Sequence, residues 1–403
     1  MDDDRPLAGV RVLALEQMQA LPFATQLLAR LGADVVKVEP VGRGESGRGS
    51  TPFMLDPEGR AVGATFLRNN LNKRSICVDL KSARGRELVL ELAPRFDIVA
   101  ENSKAGSMAK LGLGYDDLAA VHPACIYVSV SGFGNTIETP YSSWPAYAAI
   151  VEAMSGIYEM KRVGDEPPAV VPVGALGDIS SALFATIGIL AALRHRDRTG
   201  RGQHVDIAML DSMVAMTDIV TNFWSMGLRD GNLAPLIMHG FKADDGWFIL
   251  QVGREEQFAR LAGIVGHPEW LEDPRLSTRQ GWIDHLEDVL RPGIEGWAAG
   301  RSKLEACRLL SDVGLAAGPC LSPEDVVHDE HLRARNMLVT MERTDGVAEP
   351  IIVPGNPVKL GDVTERADGR VPWVGEHTDA VLAAELGLDG AELEQLRADG
   401  TIG

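Results

Sequence analysis

Asp178 stands in the string Gly177-Asp178-Ile179-Ser180, directly ahead of a long apolar stretch. An aspartate in that place commonly caps a helix, accepting a bond from the second or third helical N–H. The same place suits a nucleophile. A helix N-terminus favours the ionised carboxylate, and a carboxylate can attack an activated acyl group to form a covalent anhydride. Gly177, with no side chain, would admit a ligand closely.

Other candidates are weaker. Lys73, Arg74 and Lys81 flank a predicted strand over 75–80. They are either solvated rim charge or a local positive potential for phosphates. Gly42, Gly44, Gly47 and Gly49 form a polar loop in which Arg43 and Arg48 would meet phosphate. His328 and His331 are three residues apart, not the four of a helical zinc pair, and have no evident third ligand. They are expected on an exposed helix end, and no metal site is expected. Ser129 and Ser131 near Gly132 lack the first glycine of a nucleophile elbow. The turn Glu16-Gln17-Met18-Gln19-Ala20-Leu21-Pro22 has no glycine, which argues against the dinucleotide fingerprint.

The elements that must position these residues alternate. Apolar, β-branched runs at 10–15, 34–38, 75–80, 97–100 and 125–130 predict strands, and helical spacing predicts helices over 23–31 and 83–93. A strong helix is expected over 180–194 and a short strand over 204–208. This pattern predicts an α/β fold with a Rossmann-like, doubly wound parallel sheet. The expected organisation is a large discontinuous domain (1–221 and 373–403), a linker (222–240, marked by Gly231, Asn232, Pro235 and Gly240), a smaller α+β domain (241–325) and an extended return (326–372). A final helix pair is expected over 377–386 and 390–398.

The chain has 403 residues, 45% hydrophobic and 24% charged, a globular composition. Aromatics are only 5% against 43 glycines, which predicts an aliphatic core with many tight turns. The net charge of −18 opposes nucleic acid and anionic lipid as partners. An anionic ligand must therefore be met by local cations or helix ends. Cys77, Cys125, Cys307 and Cys320 form no CxxC pair, and the acidic start has no apolar signal region. Both fit a cytoplasmic protein. The apolar stretch 179–193 falls short of the ~20 residues of a membrane span.

Several strings together carry a resemblance. They include Pro6-Leu7-Ala8-Gly9-Val10-Arg11-Val12-Leu13, Leu31-Gly32-Ala33-Asp34-Val35-Val36-Lys37-Val38-Glu39-Pro40, Asn72-Lys73-Arg74-Ser75 and Glu101-Asn102. Ser131-Gly132-Phe133-Gly134, Gly177-Asp178, Arg198-Thr199-Gly200-Arg201-Gly202-Gln203 and Gly375-Glu376-His377-Thr378 follow in order. From about residue 6 to 400 the sequence closely resembles the class III CoA-transferases, the superfamily of formyl-CoA transferase and carnitine CoA-transferase. The resemblance implies that Asp178 attacks an acyl-CoA thioester, giving an acyl-aspartyl anhydride, and that CoA and a carboxylic acid then exchange on it. Coenzyme A enters as a thioester substrate, and no permanently bound cofactor is implied.

Residue by residue, Met18, Gln19 and Ala20 match the segment lining the thioester end, and Val78 and Lys81 match a strand-end pair near the nucleotide. Asn102 matches the family's Glu-Asn-Phe string, with Ser103 in place of its Phe. Lys110 stands where formyl-CoA transferase has an Arg, keeping a charge but losing a bidentate fork. Four departures border the implied acyl pocket. Leu21 replaces a Gly, Tyr147-Ala148 replaces a Tyr-acidic pair, Glu152 stands where a Gln is usual, and no glycine-rich loop appears around 231–240. The added Leu21 and the carboxylate lost at Ala148 suggest a less polar acyl group than formyl or oxalyl. The resemblance also implies a homodimer of two interlocked, ring-like subunits. A racemase of the same superfamily would need a His–Asp acid/base pair, and residues 141–148 hold neither His nor Asp. A non-catalytic acyl-CoA binder would have no need of Asp178.

Overall fold

The computed structural model describes residues 4–160, 162, 164–170, 174–217, 219–228 and 235–403. They form two compact units, one of residues 1–227 with 333–403, the other of residues 228–332. Gly231 and Asn232, expected in a linker, lie outside the described residues.

In the first unit Val12 and Ala14 face one side of their strand and Leu13 and Leu15 the other, and all four are buried. A strand apolar on both faces belongs inside a parallel sheet covered by helices on each side. That strand is β1 (Arg11–Leu15). It is followed by β2 (Asp34–Glu39), β3 (Arg74–Cys77), β4 (Ile98–Glu101), β5 (Ile126–Ser131) and β6 (Gln203–Ala208). All pairings are parallel and the order is β3-β2-β1-β4-β5-β6. The winding reverses between β1 and β4, so the loops leaving those two strands diverge and open a crevice at their C-terminal ends.

The helices that position the site are α1 (Ala20–Arg30), α2 (Ala83–Leu92), α3 (Tyr115–Val121), α4 (Ala148–Met154), α5 (Ile157–Met160), α6 (Leu176–Thr199) and α7 (Met209–Ala215). α1 and α6 cover the Val12 face through Ala24, Leu28, Ala182, Ala185 and Ile189. α2 and the C-terminal helices Thr378–Leu386 and Gly390–Ala398 cover the Leu13 face.

Two boundaries differ from expectation. β3 stops at Cys77, because Val78 turns away to bridge Ile402 and the Asp79 amide bonds the Thr401 carbonyl. α6 begins at Leu176, one turn early, and runs on to a left-handed Gly200. Its 24 residues are long and apolar enough to cross a membrane, which the 15-residue stretch was not. Here Ala182, Ala185, Ile189 and Ala192 are buried in the sheet's core instead.

The second unit is a three-stranded antiparallel sheet, of Ile237–Ala243, Gly246–Val252 and Ala316–Pro319, with helices packed on one face. Strand Ile237–Ala243 starts inside the segment expected to be linker. Aromatics, scarce overall, concentrate here: Phe258 stacks on Trp282 with ring centroids 4.4 Å apart, and Trp270 flanks Phe258. His328 ends one short helix and His331 belongs to the next, both exposed.

Candidate active site

Beneath the crevice lies a layer of buried charge. Glu16, Glu39, Glu45, Lys37, Arg48 and Lys73 are each at most 4% exposed, so three anions and three cations balance. Lys73 donates to Glu16 at 2.7 Å and Lys37 to the Glu16 carbonyl at 3.1 Å. Burial works against the Glu16 charge, but Lys73 and Lys37 outweigh it and hold the carboxyl below its ordinary range. Arg48 forks onto Glu39 at 2.7 and 2.6 Å and lies 3.7 Å from the centre of the Phe66 ring. Buried charges persist when they are paired or hydrogen-bonded in this way. The layer also shapes the loop above it. Glu45 accepts the Met18 amide at 3.0 Å, and Met18 holds a left-handed φ of 60°. A non-glycine residue keeps that conformation only where its surroundings enforce it.

This corrects two expectations. Lys73 is neither rim charge nor a phosphate contact, because its charge is committed to Glu16, and Arg48, though in the lining of the larger cavity, is buried with its guanidinium forked onto Glu39. Arg74 is likewise paired with Asp34 at 2.6 Å.

At the switch point Asn102, just after β4, ties the two diverging loops together. Its carbonyl accepts the Gln17 amide and its amide donates to the Gln17 carbonyl, both at 2.9 Å. Below it Glu101 accepts the Ser103 amide at 2.7 Å. Burial pushes the Glu101 carboxyl up to about 7, against that bond. On the far side Asp206 collects the Asn135 and Thr136 amides and the Thr136 hydroxyl at 2.7–2.8 Å, which pins the loop after β5. Ser129 bonds both His204 Nε2 at 2.8 Å and Asp206 at 3.1 Å. Those three residue types match a hydrolytic triad, yet Ser129 is 0% exposed and belongs to the scaffold.

Two cavities meet over these loops, sharing Gln17, Ser46 and Ser103 in their walls. The larger, of about 1050 Å³, has Arg43, Arg60 and Lys81 in its lining. The smaller, of about 630 Å³, is walled by Val130, Phe133, Trp144, Pro145, Ala146 and Met209, with Asp178 among its lining residues. Phe133, Tyr141 and Trp144 form an aromatic triangle there, with centroids 4.8–6.5 Å apart.

Asp178 is the third residue of α6. The residue before the helix, Ala175, is left-handed with φ 43° and makes no side-chain cap bond. So Asp178 is not the N-cap that its sequence position suggested, and its side chain remains available to the cavity. Burial first, and then the charge of Glu152, push its carboxyl up to about 6. At neutral pH it is still mostly ionised. Gly177 serves packing rather than ligand approach: a Cβ there would lie 2.7 Å from Val151 Cγ2 and 3.0 Å from Ala148 Cα.

Of the expected site residues, Met18, Gln19, Ala20, Asn102, Ser103, Tyr147 and Asp178 line the smaller cavity, and Lys81 the larger. Leu21 and Val78 are core residues, Ala148 packs on Gly177, Glu152 is buried behind α6, and Lys110 is exposed on the helix Ser107–Lys110; none of these five lines either cavity. Sequence reasoning missed Arg60 and Lys104, which supply cations to the two walls. Lys104 had a signal in its nearness to Asn102; Arg60 had none, because tertiary contact alone brings its hairpin there.

The profile of CoA-transferase family III matches residues 7–378. The chain belongs to that family. It is similar to the succinyl-CoA:mesaconate CoA-transferase of Haloarcula hispanica, 36% identical over 95% of this chain and 96% of the relative. It is also similar to the formyl-CoA:oxalate CoA-transferase of Streptomyces coelicolor, 32% identical over 99% of each chain. Among solved structures, a CAIB/BAIF family protein from Brucella suis superposes with a TM-score of 0.83 at 32% identity, covering 96% of this chain and all of the other. The protein is a CoA-transferase, and its family uses CoA thioesters as substrates.

Proposed function

We propose that this transferase moves CoA from an acyl-CoA to a carboxylic acid through covalent intermediates on Asp178. One observation carries the reading. A mostly ionised, half-buried carboxylate lines a cavity with an apolar wall, and that cavity opens into a larger one with cations in its lining. The pantetheine and nucleotide of CoA would occupy the larger cavity, with Arg43 and Lys81 facing phosphate and Arg60, paired with Asp56 at 2.7 Å and Glu58 at 3.0 Å, beside them, and the acyl group the smaller.

The steps balance without net proton transfer. An Asp178 oxygen attacks the thioester carbon, the C–S bond breaks, and CoA leaves as the thiolate. The thiolate then attacks the aspartyl carbonyl of the anhydride, releasing the first carboxylate and leaving Asp178 as a CoA thioester. The incoming carboxylate attacks that thioester and expels the thiolate again. The thiolate finally attacks the substrate carbonyl of the new anhydride, giving the new acyl-CoA and free Asp178. Each step exchanges one activated acyl bond for another, so the protein's task is to orient the groups and exclude water. The absence of histidine from the described lining of the smaller cavity favours transfer over Cα proton exchange. Hydroxylamine added during turnover should label Asp178, read by mass spectrometry; full activity in Asp178→Ala would refute the mechanism.

The wall of Val130, Phe133, Trp144 and Met209 supports an acyl group with an apolar body, larger than formyl or oxalyl. Named relatives act on succinyl-CoA with mesaconate and on formyl-CoA with oxalate. In competition among acids, we expect oxalate to lose to four- and five-carbon acids; an oxalate preference would overturn this specificity. We also infer the interlocked homodimer that the family resemblance implies. On α6, Leu183, Ile187 and Leu190 form an exposed apolar ridge at helical spacing, 39–61% exposed, which supports a covering partner. Light scattering should give twice 43.3 kDa; a monomer would refute it.

A further inference from the structure

Glu152 was expected in the acyl pocket, and the fold puts it elsewhere. α4 lies across the first turn of α6, close because Gly177 has no side chain. Glu152 is 3% exposed, and one carboxylate oxygen accepts the Gly177 amide at 3.0 Å. The other accepts the Tyr158 hydroxyl from α5. Among the described residues the side-chain partners of Glu152 are these two donors, with no ion pair. A buried carboxylate without a cation is stabilised here by a helix N-terminus and two donors. Asp178 is the next residue after Gly177, so two carboxylates share one helix end, Glu152 from behind and Asp178 toward the cavity.

We propose that Glu152 is a positioning residue of the transfer reaction: through the Gly177 amide it fixes the first turn of α6, and its charge beside Asp178 sets how readily that carboxylate attacks. This rests on the reading of Asp178 as the nucleophile. The titratable groups around the turn are few among the described residues. They are Glu152 on α4, the exposed Tyr147 just before it, Tyr158 and Glu159 on α5, Asp211 on α7 and Lys104 across the cavity. Glu159, Asp211 and Lys104 are exposed, and the charged end of α6, from Arg194 on, is about 24 Å along the helix. Of the charged groups, Glu152 is the one that acts on Asp178, adding to the effect of burial. A more basic carboxylate is a better nucleophile as long as it stays ionised.

The test compares pH profiles of kcat/KM. Glu152→Gln keeps an acceptor for Gly177 and removes the charge. We expect its acid limb to move about one unit lower, with kcat at pH 8 falling roughly threefold and KM for acyl-CoA unchanged. Glu152→Asp keeps the charge but withdraws from Gly177. We expect its acid limb to stay in place while kcat falls about tenfold. A Glu152→Gln profile superimposable on the wild type overturns the proposal. Should that variant not fold, Tyr158→Phe removes a donor that spreads the Glu152 charge and should move the limb upward; an unmoved limb overturns the proposal. Hydroxylamine labelling of the wild type separates the two readings. Labelled Asp178 with an unshifted Glu152→Gln profile refutes only the positioning role, whereas unlabelled, dispensable Asp178 refutes the nucleophile itself.

Discussion

Asp178 carries a stability cost in keeping with the role proposed for it. Its carboxyl sits at about 6 in the folded protein because burial and Glu152 both oppose its charge. A carboxyl raised in this way favours the protonated fold. The stability it contributes is complete below the ordinary aspartate range and is lost as pH rises through about 6. Asp178→Asn has no charge to accommodate. It should therefore be more stable than wild type at pH 7, by at most about 3 kcal/mol, with the gain vanishing near pH 4. Thermal melts at the two pH values check this, and equal melting points at pH 7 would contradict it. The same substitution should abolish labelling by hydroxylamine. Stability held below its maximum at one side chain is what a reactive group in a packed site requires. Asp178 as a candidate was legible from its string alone, but its place inside the helix was not. The left-handed Ala175 starts the helix early, and nothing local in the sequence announces that.

Elements decide how closely the turn bearing Asp178 is held. α4 can approach α6 only because position 177 lacks a Cβ. Gly177→Ala would press on Val151 and the Ala148 backbone, and overpacking of this kind costs about 1–3 kcal/mol. We expect a lower melting temperature together with a kcat loss of at least tenfold, because the turn bearing Asp178 must shift. Unchanged kcat would show that the turn is not rigidly coupled to α4. Asn102 does similar work for the loops after β1 and β4. Asn102→Ala removes two bonds of 2.9 Å, worth about 0.5–1.5 kcal/mol each. Its expected signature is a several-fold higher KM for acyl-CoA, measured by initial rates, with smaller change in kcat. The strands and most helices were legible because their apolar periodicity is local. Helix Gly390–Ala398, for example, spans the residues expected. β3 was overestimated because Val78 is as apolar as a strand residue and only its bridge to Ile402 removes it from the sheet.

At the scale of the whole molecule the charge of −18 opposes every substrate of a CoA-transferase. In the site proposed for CoA the local answer is one wall, where Arg43 and Lys81 line the larger cavity. Lys81→Gln should raise KM for acyl-CoA about three- to tenfold at low salt. The difference should shrink as salt is added, because the exposed lysine acts through a screened field. A salt-independent effect on KM would mean that Lys81 acts by packing instead. The opposite lesson comes from Arg48 and Lys73. They are cations in the right stretch of sequence, but pairing with Glu39 and Glu16 turns them into supports for the loop floor.

By itself the sequence determined the alternation of strands and helices, the family to which the motifs point, and Asp178 as the residue to test. Those follow from local periodicity and from ordered strings, which need no third dimension. Only the tertiary structure decided which charges are spent and which are free. It paired Arg48 and Lys73 inside the floor and left Lys81 at the cavity wall. It also moved Glu152 from the expected pocket to the back of α6. The physical reason is that a charged side chain is defined by its partner and its burial, and both are set by residues distant in the chain.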